Sequence, residues 1–131
     1  MISFKIITPE GIFLEDQADI INLPLTKGMT GILPSHHPLV SMIEIGKLSY
    51  RKGKENHDFA ISGGILYVKK EETIILADAI EDKEKIDLER ATRAKERASK
   101  RLEEKSLDID IPRAELALKR ALNRLKISSD K

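Results

Sequence analysis

The chain has 131 residues, 23 of them basic and 22 acidic, a formal net charge of +1 and no cysteine. The length fits one ordinary domain or one small domain with an appendage, and the near-neutral charge predicts no non-specific attraction to nucleic acid or to an anionic membrane. The absence of cysteine excludes a disulfide framework, and the lack of a long apolar run or of a signal peptide before Phe4 leads us to expect a soluble, cytoplasmic protein.

The first part of the chain reads as short strands joined by turns, because all seven glycines lie at or before Gly64 and most prolines precede residue 40. Strands at spacings near ten residues favour a sandwich or barrel over alternating strands and helices. The apolar and β-branched runs place strands at Phe4–Thr8, Ala18–Leu23, Gly31–Leu33, Leu39–Ile43, Lys47–Arg51, Asp58–Ser62, Ile65–Lys69 and Thr73–Ala77.

The later part of the chain is highly charged and contains a single proline, Pro112. This pattern predicts two helices, about Asp87–Lys105 and Arg113–Lys126, joined by SLDIDIP. Apolar residues at helical spacing form one seam on each helix: Ala91, Ala94, Ala98 and Leu102 on the first, and Ala114, Leu118, Ala121 and Leu125 on the second. Because alanine buries less apolar area than leucine, we expect a marginally stable hairpin, a property suited to a switch.

The stretch GILPSHHPLV places His36 and His37 side by side between two prolines. Adjacent side chains of an extended segment point to opposite faces, so these two histidines are poorly placed to hold one metal ion. His57 has no ligand spacing around it, and Ser35 lacks the strand–turn–helix setting of a catalytic serine. We therefore expect a proline-bounded turn without a catalytic or metal-binding role, and a small metallohydrolase is the alternative that metal analysis would test.

Arginines form a row on each predicted helix. At 100° per residue Arg97 and Arg101 fall within about 20° of Arg90, and Arg113, Arg120 and Arg124 cluster in the same way on the second helix. Antiparallel packing through the two seams would bring both rows to one side, with Arg97 opposite Arg120 and Arg93 opposite Arg124.

Cations placed in this way repel one another unless an anion lies between them, so the rows indicate either an anion site or a solvated basic face. Glu89 with Arg93 and Glu96 with Lys100 are i, i+4 pairs that suit an exposed helix surface and so favour the solvated face. An adaptor that binds nucleic acid through these helices is disfavoured, because the helical half contains no aromatic residue for base stacking.

Six stretches of the chain, in order, resemble the epsilon subunits of bacterial F-type ATP synthases: ITPEG at Ile7–Gly11, GILPSHHPLV, SGGILYV at Ser62–Val68, ILADAIE at Ile75–Glu81, IDLERA at Ile86–Ala91 and RAELALKRALNRL at Arg113–Leu125. The resemblance implies a β + α protein, with a ten-stranded β-sandwich over residues 1–82 and an antiparallel two-helix hairpin over residues 83–131. It also implies that the histidine of the GILP-x-H turn is neither a catalyst nor a metal ligand. Ser35 departs from the family, since many relatives carry glycine there.

The resemblance implies a non-catalytic regulatory subunit of the central stalk. In this family the β-sandwich docks on the gamma subunit and on the ring of membrane rotor subunits, and the mobile hairpin inhibits ATP hydrolysis by reaching the beta subunit of the catalytic head when extended. The subunit would be peripheral at the cytoplasmic face of the plasma membrane, with no membrane span and no nucleic-acid partner.

Some epsilon subunits bind ATP on the folded hairpin, and the resemblance extends to each position of that set: Glu81, Ile86, Asp87, Arg90, Ala91, Arg97, Arg120 and Arg124. Guanidinium groups suit phosphate oxygens, Ile86 and Ala91 would wall an adenine, and Asp87 would accept from its amine. ATP is thus expected as a regulatory ligand and not as a cofactor, since no P-loop and no hydrolytic machinery are apparent. The alternative is the same rotor subunit with a hairpin that does not bind ATP.

Overall fold

The first of two compact units, Met1–Asp82, is built from strands. The structure is a computed structural model that describes residues 1–104 and 110–129. The strands follow the order β2-β1-β7-β6-β5-β3-β4, with β8 paired to β6 off this path, and only the β1–β7 pair is parallel. Their bounds are β1 Ile2–Thr8, β2 Gly11–Ala18, β3 Ile20–Leu25, β4 Gly28–Ile32, β5 Leu39–Lys52, β6 Glu55–Val68, β7 Thr73–Ala77 and β8 Ile80–Asp82.

The two long strands β5 and β6 belong to both layers of a sandwich. They pair along their whole length, while β7 pairs only with the second half of β6 and β8 only with the first half. Side chains alternate between the core and the outside along β1, β3 and β7, as a half-buried strand requires. Fully buried residues from both layers meet in one core: Ile6, Leu66 and Ile75 from one side, and Ile21, Leu48 and Ile61 from the other. The predicted β-sandwich is confirmed.

The sheet has eight strands and not the ten expected. Gly63 and Gly64, with φ of 90° and 149°, bend β6 without ending it, whereas the sequence pattern treats glycine as a strand breaker. The pattern also does not predict β2, an edge strand whose side chains are mostly exposed. Each long strand merges two that the sequence predicts separately: Leu39–Ile43 with Lys47–Arg51 in β5, and Asp58–Ser62 with Ile65–Lys69 in β6.

Asp16 on β2 links the edge strand to β5. Its two carboxylate oxygens accept hydrogen bonds from the Tyr50 hydroxyl and the Lys52 ammonium, each at 2.9 Å. The bond from Lys52, helped by one from the backbone N–H of Gln17, lowers the pKa of Asp16 to about 2. Burial, and secondly the bond to Asp16, raises the pKa of Tyr50. We call this cluster the Asp16 clamp. It joins β2 to β5 as long as the Asp16 carboxylate is ionised, which it is at neutral pH.

The second unit, Lys83–Lys131, contains a short 3-10 helix, Lys83–Lys85, and two longer helices, α1 (Leu88–Glu104) and α2 (Ile111–Ser129), which pack against each other. The predicted seams are confirmed: the leucines at the seam ends are half-buried, and the alanines Ala91, Ala98, Ala114 and Ala121 are at most 4% exposed. Helix α2 begins two residues earlier than predicted, and most of the SLDIDIP connection lies outside the described residues. In the described ranges, no helix has the length and apolar character that crossing a membrane requires.

Candidate functional site

His36 closes a tight turn after β4, and His37 directly follows this turn. The His36 N–H donates to the Leu33 carbonyl at 3.2 Å, and Ser35 has a φ of 65°. Pro34 is the second residue of this turn, and Ser35, with its positive φ, is the third. This arrangement is typical of a type II turn, in which glycine is favoured at the third position. The Nδ1 of His36 lies 2.7 Å from the His37 carbonyl oxygen and therefore carries a hydrogen. Over residues 1–104 and 110–129, no three metal-ligating side chains are grouped as an ion would need.

An apolar row crosses five strands on the outer side of the sandwich. Met42, Ile65, Leu76, Ile7 and Ile12 are successive cross-strand partners from β5 through β6, β7 and β1 to β2, so they lie on one face. Met42 is 68% exposed and Ile12 60% exposed. On the first four of these strands a neighbouring residue faces the core instead: Ile43, Leu66, Ile75 and Ile6. The row is most exposed at its two ends, and exposed apolar surface of this kind is typical of interaction sites.

Both helices begin with the same capping arrangement. Asp87 Oδ1 accepts a hydrogen bond from the Arg90 N–H, and Asp110 Oδ1 accepts one from the Arg113 N–H, each at 3.1 Å. In both cases aspartate is the N-cap and arginine the third helical residue. The sequences IDLERA and IDIPRA thus place a D-x-x-R-A motif at the start of each helix. The second copy of the motif was not recognised from sequence, because the predicted second helix begins at Arg113 and leaves Asp110 in the connecting loop.

This capping gives Asp87 a structural role in addition to its proposed ligand contact. One carboxylate oxygen caps α1, and Oδ2 is the oxygen that remains to accept from an adenine amine. Ala91, the other side chain expected to touch the adenine with Ile86, is fully buried in this structure. Ile86 is half-buried and precedes α1. Of the side chains expected to contact the adenine on this helix, Asp87 and Ile86 are the two that remain accessible in this conformation.

An open groove of about 730 Å³ runs along the exposed face of α1. Four cations and one carboxylate line it: Arg90, Arg93, Glu96, Arg97 and Lys100. Within the described parts of the chain, no carboxylate lies within 4.0 Å of the nitrogens of these four cations. The groove is therefore a mainly basic surface whose one carboxylate, Glu96, forms no ion pair with its cations among the described residues.

The residues of the two i, i+4 pairs are exposed, as their spacing predicts, but their charges are not in contact. In the part of the chain that the structure describes, neither Glu89 with Arg93 nor Glu96 with Lys100 forms a salt bridge. An exposed ion pair contributes only about 0.2–1 kcal/mol and must fix two long side chains, so solvation of both groups competes with it. Among the described residues, the groove arginines Arg90, Arg93 and Arg97 therefore form no ion pair with a carboxylate.

A second cavity, of about 200 Å³, lies between the two helices. Arg97 borders this cavity as well as the groove, and the other lining residues are small or basic: Ala94, Ala98, Arg101, Ala114 and Ala117. A C-terminal part of α1 therefore lies opposite an N-terminal part of α2, as antiparallel helices require. The alanines leave space here that leucines would fill.

The structure brings together only part of the expected ATP-binding set. Arg90 and Arg97 share the groove, whereas Arg120 and Arg124 of α2 do not line it; Arg120 is exposed and Arg124 half-buried. Glu81 lies on β8 in the first unit and is half-buried. The pairings of Arg97 with Arg120 and of Arg93 with Arg124 stay predictions. Sequence reasoning placed Arg93 opposite Arg124 but included neither Arg93 nor Lys100 in the ATP-binding set, although both line the groove.

Comparison with known proteins gives matches over nearly the whole chain. Residues 1–83 match the family description "ATP synthase, Delta/Epsilon chain, beta-sandwich domain", and residues 84–129 match "ATP synthase, Delta/Epsilon chain, long alpha-helix domain". The chain is similar to the "ATP synthase epsilon chain" of Desulforamulus reducens, 42% identical over 121 residues and 92% of both chains. It is 46% identical to that of Desulfitobacterium hafniense strain Y51 over 123 residues, which cover 94% of this chain and 92% of the relative.

The fold has a counterpart among solved structures. The chain is similar to a chain in the cryo-EM structure of the Euglena gracilis mitochondrial ATP synthase, described as OSCP/F1/c-ring in rotational state 1. The TM-score is 0.82 and the sequence identity 22%, with 93% of this chain and 78% of that chain covered. At this identity the likeness shows the fold.

Proposed function

The chain belongs to the ATP synthase delta/epsilon family, and from this premise we propose that it is a non-catalytic subunit of the central stalk that couples the rotor and brakes ATP hydrolysis. Its sandwich docks on the gamma subunit and on the membrane rotor ring, at the cytoplasmic face of the plasma membrane. Its hairpin binds ATP as a regulatory ligand when folded and reaches the beta subunit of the catalytic head when extended.

The apolar row across β5, β6, β7, β1 and β2 supports the docking part of the proposal. Burial of apolar area is favourable by roughly 25 cal/mol per Å². Burial of this row against a partner would therefore stabilise the attachment of the subunit to the rotor. Gamma is the partner that we assign to this row. The observation that supports this most directly is the 68% exposure of Met42 at one end of the row.

Docking can be tested with a charge placed on the row. Met42→Asp would force a carboxylate into the apolar interface, where its desolvation costs several kcal/mol, and we expect binding to gamma to weaken at least about tenfold. Met29→Asp is the matched control, because Met29 is 64% exposed but lies on β4, off the row. Binding would be measured with the purified chain and a gamma-containing complex that lacks this subunit. Equal affinities of the two variants would contradict the assignment.

The basic groove on α1 supports the ligand part of the proposal. Its cations have no carboxylate partner within the described residues, and guanidinium forks bind phosphate oxygens in bidentate fashion. A ligand that binds only one state stabilises it by RT ln(1 + [L]/Kd), so ATP shifts a marginal hairpin toward the folded form. When ATP falls, the hairpin opens and its basic helices meet acidic surface on the catalytic head.

Calorimetric titration of ATP, with ADP for comparison, tests this ligand. We expect saturable ATP binding that Arg120→Ala weakens about tenfold, the effect of losing a charge-assisted hydrogen bond. Lys119→Ala is the control, because it removes the same charge from the neighbouring exposed position. No binding to the unsubstituted chain would favour the alternative, a rotor subunit whose hairpin does not sense ATP and whose arginines only meet acidic partners.

A further inference from the structure

The groove on α1 contains two cations that the expected ATP-binding set does not include, Arg93 and Lys100. We propose that these two side chains bind the phosphates of ATP, and that Glu96 beside them weakens this binding. The inference rests on the proposed nucleotide-binding role of the hairpin and enlarges its phosphate site from Arg90 and Arg97 to four cations on α1.

The position of the two residues around the helix supports this assignment. At 100° per residue, Arg93 and Lys100 lie about 60° and 80° from Arg90, on the side away from the alanine seam. They are exposed, and packing between the helices does not occupy them. Their side chains are therefore available to an external ligand on the open flank of α1, where Arg97 connects this flank to the interhelical cavity.

The position along the helix axis sets the direction of the ligand. At 1.5 Å per residue, Arg90 and Lys100 are about 15 Å apart along α1. Asp87, whose Oδ2 is the expected contact for an adenine amine, precedes the first turn. A nucleotide whose base lies at Asp87 thus extends its phosphates toward Arg93, Arg97 and Lys100, with the terminal phosphate farthest along the helix. Triphosphate should gain more from these cations than diphosphate.

The charge of this face favours binding of an anion. Side chains three or four positions apart on a helix are neighbours, about 5–6 Å apart at Cβ, so the four cations repel one another. A phosphate between them removes that repulsion and adds direct hydrogen bonds. Glu96, the one carboxylate of the groove, opposes the same phosphates. The two kinds of substitution must therefore change ATP affinity in opposite directions.

The test is calorimetric titration of ATP, ADP and inorganic tripolyphosphate into the full chain and its variants. We expect Arg93→Ala and Lys100→Ala each to weaken ATP binding about three- to fivefold, more than ADP binding, and Glu96→Gln to strengthen it about twofold. Tripolyphosphate should compete with ATP. Lys95→Ala is the control, because this exposed lysine lies on the same helix and does not line the groove. Circular dichroism confirms that each alanine variant keeps its helices.

The outcomes separate this inference from the proposed function. Equal ATP affinities of the Arg93→Ala, Lys100→Ala and Lys95→Ala variants, together with a loss in Arg120→Ala, would overturn the assignment and leave the proposed ligand in place. Failure of tripolyphosphate to compete would also overturn it. No ATP binding to the unsubstituted chain would refute the nucleotide role and this inference together.

Discussion

Replacement of Gly64 by alanine should destabilise the sandwich strongly. A Cβ at this position would overlap the carbonyl oxygen of Leu76 and lie 3.0 Å from Ala77 Cα, so β6 and β7 would have to separate. The residue also has a φ of 149°, a conformation that residues with a side chain rarely adopt. Backbone strain and overpacking each cost about 1–3 kcal/mol, which together suggests a loss of about 3–5 kcal/mol.

Urea unfolding followed by far-ultraviolet circular dichroism measures this loss. Gly53→Ala is the control: its φ of 61° lies in the left-handed α region, where the backbone strain of alanine is milder, and nothing lies within 4 Å of the added Cβ. We expect a loss of about 1 kcal/mol for that variant. Losses that agree within about 1 kcal/mol for the two variants would refute the close approach of β6 and β7. Because Ile65 follows Gly64 directly, Gly64→Ala should also weaken docking through the apolar row.

Three further predictions concern the turn, the clamp and the caps. Ser35→Gly should stabilise the chain by about 0.5–1 kcal/mol in urea unfolding, because glycine adopts a φ of 65° without strain; an unchanged midpoint would contradict the type II turn. The pKa of Asp16, lowered to about 2, means that its contribution is complete above pH 4 and is lost as pH falls through 2. Asp16→Asn should therefore remove about 1 kcal/mol at pH 7, an effect limited by solvent screening, and flatten the stability profile between pH 4 and 2. Asp87→Asn should preserve helix content, because asparagine caps a helix nearly as well as aspartate, but it should weaken ATP binding. Asp110→Asn, at the other helix cap, should leave ATP binding unchanged. Equal ATP affinities of the two variants would contradict the proposed Asp87 contact.

The two helices were largely predictable from sequence, because packing of one helix against the other requires apolar residues to recur at helical spacing. Ala91, Ala98, Ala114 and Ala121 recur at the spacing that places them on one face, and two such faces can bury their apolar surface only against each other or against another apolar surface. The starts of the helices were less predictable. Pro112 lies inside α2 and not before it, because Asp110 caps the helix two residues earlier.

The strands were predictable in their buried parts and not at their bends or edge. The apolar run of β7, Thr73–Ala77, matches the prediction at both ends, since it is central and alternates regularly. From sequence, the pair Gly63–Gly64 is typical of the end of a strand. The pairing of Gly64 with Ala77 of β7 shows that β6 continues through it. Strand β2 lies at the edge of the sheet and is held by its pairing with β1 and by the hydrogen bond that Asp16 accepts from Tyr50. A hydrophobic pattern detects neither interaction.

The candidate site shows the same division. The shared face of Arg90 and Arg97 follows from helix geometry and is confirmed by the groove that both residues line. The absent ion pairs of Arg93 and Lys100 could not be predicted, because exposed rotamers are decided by differences below about 1 kcal/mol. The capping role of Asp87 was equally hidden, since one carboxylate suits both a helix start and an adenine contact.

ATP hydrolysis by the assembled complex tests the central claim most directly. The rate would be measured over a range of ATP concentrations for complexes reconstituted with the full chain or with a chain that ends at Asp82. We predict faster hydrolysis with the shortened chain at low ATP, and equal rates once ATP holds the hairpin folded. Equal rates at every ATP concentration would contradict the proposal that the hairpin is an ATP-controlled brake.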